Sequence, residues 1–293
     1  TSSKRSSESM IKISDPRKLL NISYQTRALI VKMLSAAGSG HTGASLGLAD
    51  IFTCLYFNEL NHNPENPVWP DRDRVILSIG HVAPVFYATR AQAGYLEKSE
   101  LFTLRKFGSR LQGHPGLDSR LPGIETSSGS LGQGLSIATG MAIVAKKSSS
   151  DIRVFSIHGD GELQEGQIWE AAMAAAHYNL DNITAIVDLN GVQIDGPTRE
   201  VMHLEPLAAK WQAFGWNVIG CDGHNISGIL NAFRQARANS GKPSVILART
   251  IMGKGIKTIE NDHHWHGRAP SPAEAIEFLC QIEEIFRDEL AKI

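Results

Sequence analysis

Two short segments carry side chains suited to holding a hard cation against phosphate. After the run Ile152–Ile157 the chain reads His158-Gly159-Asp160-Gly161-Glu162, and after Ile183–Leu189 it reads Asn190-Gly191-Val192. Magnesium takes oxygen ligands in a tight octahedron and is commonly shared between a few protein groups and substrate phosphates. The Asp160 carboxylate, the Asn190 side-chain oxygen and one loop carbonyl would supply three ligands. Two diphosphate oxygens and a water would complete the set, and calcium or manganese could substitute. Glycines on either side of Asp160 let the backbone approach phosphates closely, and a helix starting near Leu163 would aim its free N–H groups at them. A lone Gly-Asp-Gly more often marks a turn than a site. The order strand, Gly-Asp-Gly, helix, strand, Asn is far more specific.

Histidines recur in glycine-flanked loops: Ser39-Gly40-His41-Thr42-Gly43, Gly80-His81, Gly113-His114-Pro115 and His266-Gly267. An imidazole near its ordinary pKa can move a proton or hydrogen-bond a polyol while neutral. Any one of them alone is more often structural. Gly38 to Gly43 also satisfies G-x-G-x-x-G, but it follows a helical stripe, whereas a dinucleotide fingerprint follows a strand. Gly253-Lys254-Gly255 lacks the spacing of a phosphate-binding P-loop. His263, His264 and His266 suggest zinc, but no fourth ligand stands at a suitable spacing.

These loops need a frame. Apolar positions recur on a helical stripe over Pro16–Ala37, with Gly38 just past its end, and a second apolar helix is expected over Leu48–Phe57. Arg74–Ile79 reads as a strand, with helix resuming near Val82. Phe107 to Ser130 is rich in Gly, Pro and Ser without periodicity, as functional loops often are. A helix follows over Leu131–Lys147. Further strands are expected at Ile152–Ile157, Ile183–Leu189, Trp216–Gly220 and Ser244–Ala248. Helices are expected at Gln164–Tyr178, Glu205–Phe214, Ser227–Ala238 and Pro272–Leu290. Val- and Ile-rich strands alternating with amphipathic helices predict an α/β fold, a mainly parallel sheet with helices on both faces. Ligands of such sheets sit outside the carboxyl ends of the strands, where Asp160 and Asn190 fall.

With 42% hydrophobic residues, 20% charged residues and a net charge of −1, the chain has an ordinary globular composition. No basic run interleaved with aromatics suggests nucleic acid, and no apolar run approaches a membrane span. Residues 1–12 read as a polar, disordered tail ahead of one domain over 13–293. Neither a signal peptide nor an anchor is read there, so the expected location is the cytoplasm. Cys54, Cys221 and Cys280 are odd in number and far apart, as for free buried thiols.

The segment from His158 to Gly196 closely resembles the transketolase family and carries the thiamine-diphosphate fingerprint. Ser39 to Gly43, Gly80-His81, Gly113 to Pro115, Gly129-Ser130-Leu131-Gly132-Gln133-Gly134 and His266-Gly267 match in order. The departures are Thr42 and Ser130, where the family more usually has Pro. The resemblance implies a PP-type domain with thiamine diphosphate and Mg2+ as cofactors. It implies Asp160, Asn190 and the Val192 carbonyl as metal ligands, with Gly161, Glu162, Asn190, His81 and His266 near the diphosphate. Gly129, Ser130 and Leu131 would meet the middle of the cofactor, and His41, His114 and His266 would serve catalysis. Glu165 matches an acidic residue at the family's subunit contact, although a solvated helix face reads nearly as well.

The family places the carboxylate that activates the cofactor, and most sugar-phosphate contacts, in a pyrimidine-binding domain. The implied partner is therefore a C-terminal transketolase subunit carrying that domain, in a heterotetramer of two of each chain acting on sugars or sugar phosphates. The closing helix reads as a natural end, which favours a split enzyme over a fragment. A 1-deoxyxylulose-5-phosphate synthase-like enzyme and a non-catalytic cofactor-binding or regulatory subunit are the rival readings. The motifs at 113–115 and 129–134 weigh against the first and the full histidine set against the second.

Overall fold

The computed structural model describes residues 9–292. Five parallel strands form the sheet: β1 (Arg74–Leu77), β2 (Val154–Gly159), β3 (Ile183–Leu189), β6 (Asn217–Asp222) and β7 (Ser244–Arg249), in the order β1-β2-β3-β7-β6. Between β3 and β6 lies a two-residue-per-strand antiparallel ribbon, β4 (Val192–Gln193) and β5 (Gly196–Pro197), which strand periodicity does not reveal.

Successive strand residues point to opposite faces, and both faces are buried. Phe155 and Ile157 of β2, Ile186 of β3 and Ile246 of β7 enter one core. Val154, Ala185, Val187, Val245 and Leu247 enter the other. The first core is closed by helices α1 (Pro16–Ala37), α3 (Ala49–Cys54), α4 (Ala83–Ala93), α9 (Ile226–Ala238) and α10 (Pro272–Leu290). The second is closed by α5 (Gly134–Lys147), α6 (Gly166–His177) and α8 (Leu207–Ala213). Two one-turn helices, α2 (Gly43–Gly47) and α7 (Thr198–Val201), complete the set.

Helix ends follow local chemistry. Asp15 caps α1 by accepting from Arg17 N, Pro16 opens it, and Gly38 closes it in the left-handed region at φ 65°. Ser271 and Glu274 form a reciprocal capping box on α10. The helix expected over Leu48–Phe57 divides, α3 giving way to a π-helical turn, Leu55–Glu59, in which Leu60 N reaches Leu55 O.

The helix expected from Leu131 starts at Gly134 instead. The N–H groups of Gly132 and Gly134 are held by the Glu162 carboxylate and the Ser78 hydroxyl, so the chain stays in a loop until then. Phe107 to Ser130 is irregular apart from a single 3-10 turn, Leu117–Ser119.

Of the tail expected over 1–12, residues 1–8 lie outside the described residues. Packing begins by Met10, whose N–H donates to His62 O, and Lys12 Nζ donates to Glu59 O. Cys54 is buried and Cys221 half-buried, but Cys280 is exposed on the outer face of α10, so the expectation of three buried thiols holds only in part. Among the described residues no helix is long and apolar enough to cross a membrane.

Candidate active site

The parallel pairing of β2 with β3 sets Gly159 opposite Asp188, so the Asp160 turn and the Asn190 turn leave the sheet side by side. Asp160 accepts from Gly161 N at 2.8 Å and from Gly191 N at 2.6 Å. Asn190 donates from Nδ2 to Asp188 Oδ2 at 2.6 Å, which orients its amide, and its Oδ1 accepts from Val192 N. Sequence reasoning misses Asp188, because it reads as one more residue of a buried strand. It is 1% exposed and also accepts from the Thr250 hydroxyl.

Burial, and then the neighbouring Asp188, push the Asp160 carboxyl up to about 7; burial pushes Asp188 up to about 6. Among the described residues no cationic side chain forms an ion pair with either carboxylate. Two buried carboxylates beside an amide oxygen form a hard-oxygen donor set with uncompensated negative charge. That set fits a divalent cation of the magnesium type.

Above this floor lies a cleft of about 420 Å3 lined by His41, His81, His114 and His266. Ring centroids stand 5.1 Å apart for His41 and His81, 5.2 Å for His81 and His266, 5.5 Å for His41 and His266, and 6.4 Å for His41 and His114. Four histidines from widely separated segments therefore form one cluster. Burial, then the mutual repulsion of their charged forms, lowers His41 to about 4 and His81 to about 3. Burial also lowers His114 and His266. The rings are neutral near pH 7. Nδ1 of His41 and of His266 is buried without a hydrogen-bond partner, leaving two polar atoms ready for a ligand.

The loops that carry these rings are tied to one another. The Thr42 hydroxyl donates to Arg268 O at 2.5 Å, joining the His41 loop to the His266 loop. This is a contact the proline usual at that position could not make. Gly253 N donates to Gly43 O, and a Cβ at Gly43 would meet Met252 Cγ at 2.6 Å, so the 251–253 segment backs the His41 loop closely. That segment is anchored by His224, which accepts from Ile251 N and donates to Asp50, itself paired with buried Arg27.

The 129–134 loop rests on a buried clamp. Glu162 Oε1 accepts from Ser78 Oγ and from Gly132 N at 2.9 Å, and Oε2 pairs with His158 Nδ1 at 2.9 Å. Burial works to raise the Glu162 carboxyl, but His158 and these donors hold it below the usual range. Both its oxygens are engaged, so Glu162 holds the loop rather than offering a free carboxylate to a ligand. Gly129 packs on His114, where a Cβ would lie 3.3 Å from the ring.

Gly129, Leu131, Gly161, Glu162, Asn190 and Val192 all line the cleft, as does exposed Glu165. Ser130 is exposed and does not line it. The residues suggesting zinc separate: Asp262, His263 and His264 gather at the surface, whereas His266 turns into the cleft. The clamp is invisible in the sequence because its members, Ser78, Gly132 and Glu162, meet only through the fold.

The family model described as "Transketolase, thiamine diphosphate binding domain" matches residues 20–281. The chain is similar to the 6-deoxy-6-sulfo-D-fructose transketolase subunit SqwG of Clostridium sp. (strain MSTE9), with 46% identity over 80% of this chain and 85% of that one. It is also similar to an apulose-4-phosphate transketolase subunit of Actinobacillus succinogenes, with 42% identity over 85% of this chain and 89% of the relative. Among solved structures it is similar to transketolase from Campylobacter jejuni, with a TM-score of 0.80, 33% identity, and coverage of 96% of this chain and 48% of that one. Transketolase from Leishmania mexicana gives a TM-score of 0.84 at 28% identity, covering 94% of this chain and 44% of that one. The chain thus spans less than half the length of these solved transketolases.

Proposed function

The chain belongs to the transketolase family, and from that premise we propose that it is the diphosphate- and metal-binding subunit of a two-chain transketolase. The reaction is transfer of a two-carbon ketol unit from a ketose, or ketose phosphate, to an aldose. The observation that carries this reading is the cluster of four neutral histidines directly above a carboxylate pair that forms no ion pair with a cationic side chain among the described residues.

Asp160, Asn190 and the Val192 carbonyl are the residues proposed to hold Mg2+, with Ca2+ or Mn2+ able to replace it. Gly161, His81 and His266 would receive the diphosphate, and Gly129 and Leu131 the middle of thiamine diphosphate, with Ser130 between them turned away from the cleft. When bound, that cofactor supplies a carbon nucleophile and an electron sink for the ketol unit. His41, His114 and His266 act on the sugar. A neutral imidazole nitrogen would accept a hydroxyl hydrogen bond and take the proton as that carbon's bond to the two-carbon unit breaks. The bond's electron pair would stay with the two-carbon unit while the hydroxyl carbon becomes a carbonyl, and the proton would return when the bond forms to the acceptor. Burial keeps these rings neutral in the resting site, and the tied loops hold them in one arrangement.

Two observations support a partner chain. The matched region is the thiamine-diphosphate-binding domain, and relatives of nearly this length are named subunits. The proposed partner is a C-terminal transketolase subunit bringing the pyrimidine-side carboxylate, in a heterotetramer of two of each chain in the cytoplasm. Glu165 is proposed to lie at the contact.

His41→Ala in the two-chain enzyme is the test. Ketol transfer should fall at least about 100-fold, while thiamine diphosphate binding, read by calorimetry, is kept. Unchanged turnover would remove His41 from the chemistry.

A further inference from the structure

A second basin opens beside the histidine cleft and shares His114 with it. It is an open surface depression of about 530 Å3 lined by Ser39, Arg105, Lys106, Ser109 and Gly113, with Arg105 and Lys106 exposed. The loop that builds it is held firmly. Leu104 and Leu111 are buried at its two ends, Arg105 N donates to Leu111 O at 2.9 Å, and the Thr103 and Ser109 hydroxyls meet at 2.7 Å. Arg105 occupies the left-handed region, at φ 59°, where a residue other than glycine is uncommon. Its guanidinium lies so near Gly113 that a Cβ there would meet Nε at 2.6 Å, so the glycine makes room for the charge.

The charges of this loop are unequal. Arg110 is spent on Glu100, its Nη2 donating to Oε2 at 2.8 Å. Among the described residues neither Arg105 nor Lys106 forms an ion pair with a carboxylate. The Arg105 guanidinium reaches the Ser39 hydroxyl from Nη1 at 3.5 Å, a long and weak bond. Its positive charge reaches the reacting groups: after burial, it contributes to the lowering of both His114 and His41. Two uncompensated cations and two hydroxyls, on a braced loop beside the proposed chemistry, match a tetrahedral oxyanion on the substrate.

We propose that Arg105, with Lys106 beside it, binds the anionic end of the sugar substrate, a terminal phosphate or sulfonate, and so sets substrate selectivity. This rests on the transferase reading above and places part of the anion recognition on this chain rather than wholly on its partner.

The assay uses the two-chain enzyme loaded with thiamine diphosphate and magnesium. Fructose 6-phosphate, 6-deoxy-6-sulfofructose and fructose serve as donors for wild type, Arg105→Gln and Arg105→Lys. Arg105→Gln should lower the ratio of kcat/KM for the preferred anionic ketose over fructose about tenfold, through KM, and Arg105→Lys should retain most of that ratio. The anion whose ratio falls furthest identifies the terminal group. A ratio left unchanged by Arg105→Gln, as when both ketoses lose equally, overturns the proposal. Calorimetric titration with fructose 6-phosphate and fructose reads the basin without turnover. Tighter binding of the phosphorylated sugar that Arg105→Gln abolishes supports the anion site even if ketol transfer itself fails, in which case only the transferase reading falls. Equal binding of both sugars, and of the sulfonated one, by wild type overturns the anion site and leaves the transferase reading standing.

Discussion

Glu162→Ala removes the acceptor on which three buried donors converge. Ser78, Gly132 and His158 are all buried, and each loses its partner in one substitution. Leaving a buried donor without its acceptor costs about 1 to 3 kcal/mol, because the group stays desolvated and unpaired. About 4 kcal/mol, toward the lower end for three such donors, is expected here, since Glu162 lines the cleft and water can enter part of the vacated space. For a chain of this length that is a fall in Tm of about 6.5 °C. Glu162→Gln keeps an oxygen for Ser78 and Gly132 but turns an amide N–H toward His158, so about half the loss is expected. The assay is thermal unfolding by circular dichroism, with the thiamine diphosphate Kd measured alongside. The slackened 129–134 loop should weaken binding about tenfold or more. Both variants melting within about 2 °C of wild type would refute the clamp.

Asp160→Asn removes one of two mutually repelling buried carboxylates. The cofactor-free chain should be as stable as wild type or more so at pH 7, while the stabilisation by magnesium and thiamine diphosphate disappears. That stabilisation is worth about 2.7 kcal/mol at a hundredfold excess over Kd and is read by differential scanning fluorimetry. His62, which is 3% exposed, meets the Tyr95 hydroxyl through Nδ1 and donates from Nε2 to Tyr56 O, and burial lowers it to about 4. The unfolded chain then binds the extra proton between about pH 4 and 6.5. Stability from this group is full above about 6.5 and is lost as pH falls toward 4, by about 3 kcal/mol at about 1.4 kcal/mol per pH unit. Urea unfolding of His62→Gln across that range should show a shallower loss than wild type; parallel curves would contradict it.

The sheet was legible because β2, β3 and β7 are short Val- and Ile-rich runs buried on both faces, a pattern only a covered parallel sheet makes. Asp160 and Asn190 were legible because strand ends are where such sheets bind ligands. The four histidine loops were legible through resemblance, but their convergence was not, since nothing in local spacing brings His41 to His266. Polar partners distant in sequence escaped altogether. Ser78 and Glu162 are 84 positions apart, and Asp188 and Thr250 are 62. Ser78, Asp188 and Thr250 alone read as ordinary buried residues and Glu162 as a residue near the diphosphate, and only packing makes them partners. The late start of α5 has the same cause, because side chains from distant segments claim the backbone donors that would have opened it.

Ketol transfer by this chain alone, by a pyrimidine-domain partner alone, and by the two mixed, all with magnesium and thiamine diphosphate, is the most direct measurement of a shared active site. Turnover is expected only on mixing, rising to a plateau at equal amounts of the two chains and lost when either cofactor is withheld. Turnover by this chain alone at the rate of the mixture would contradict it.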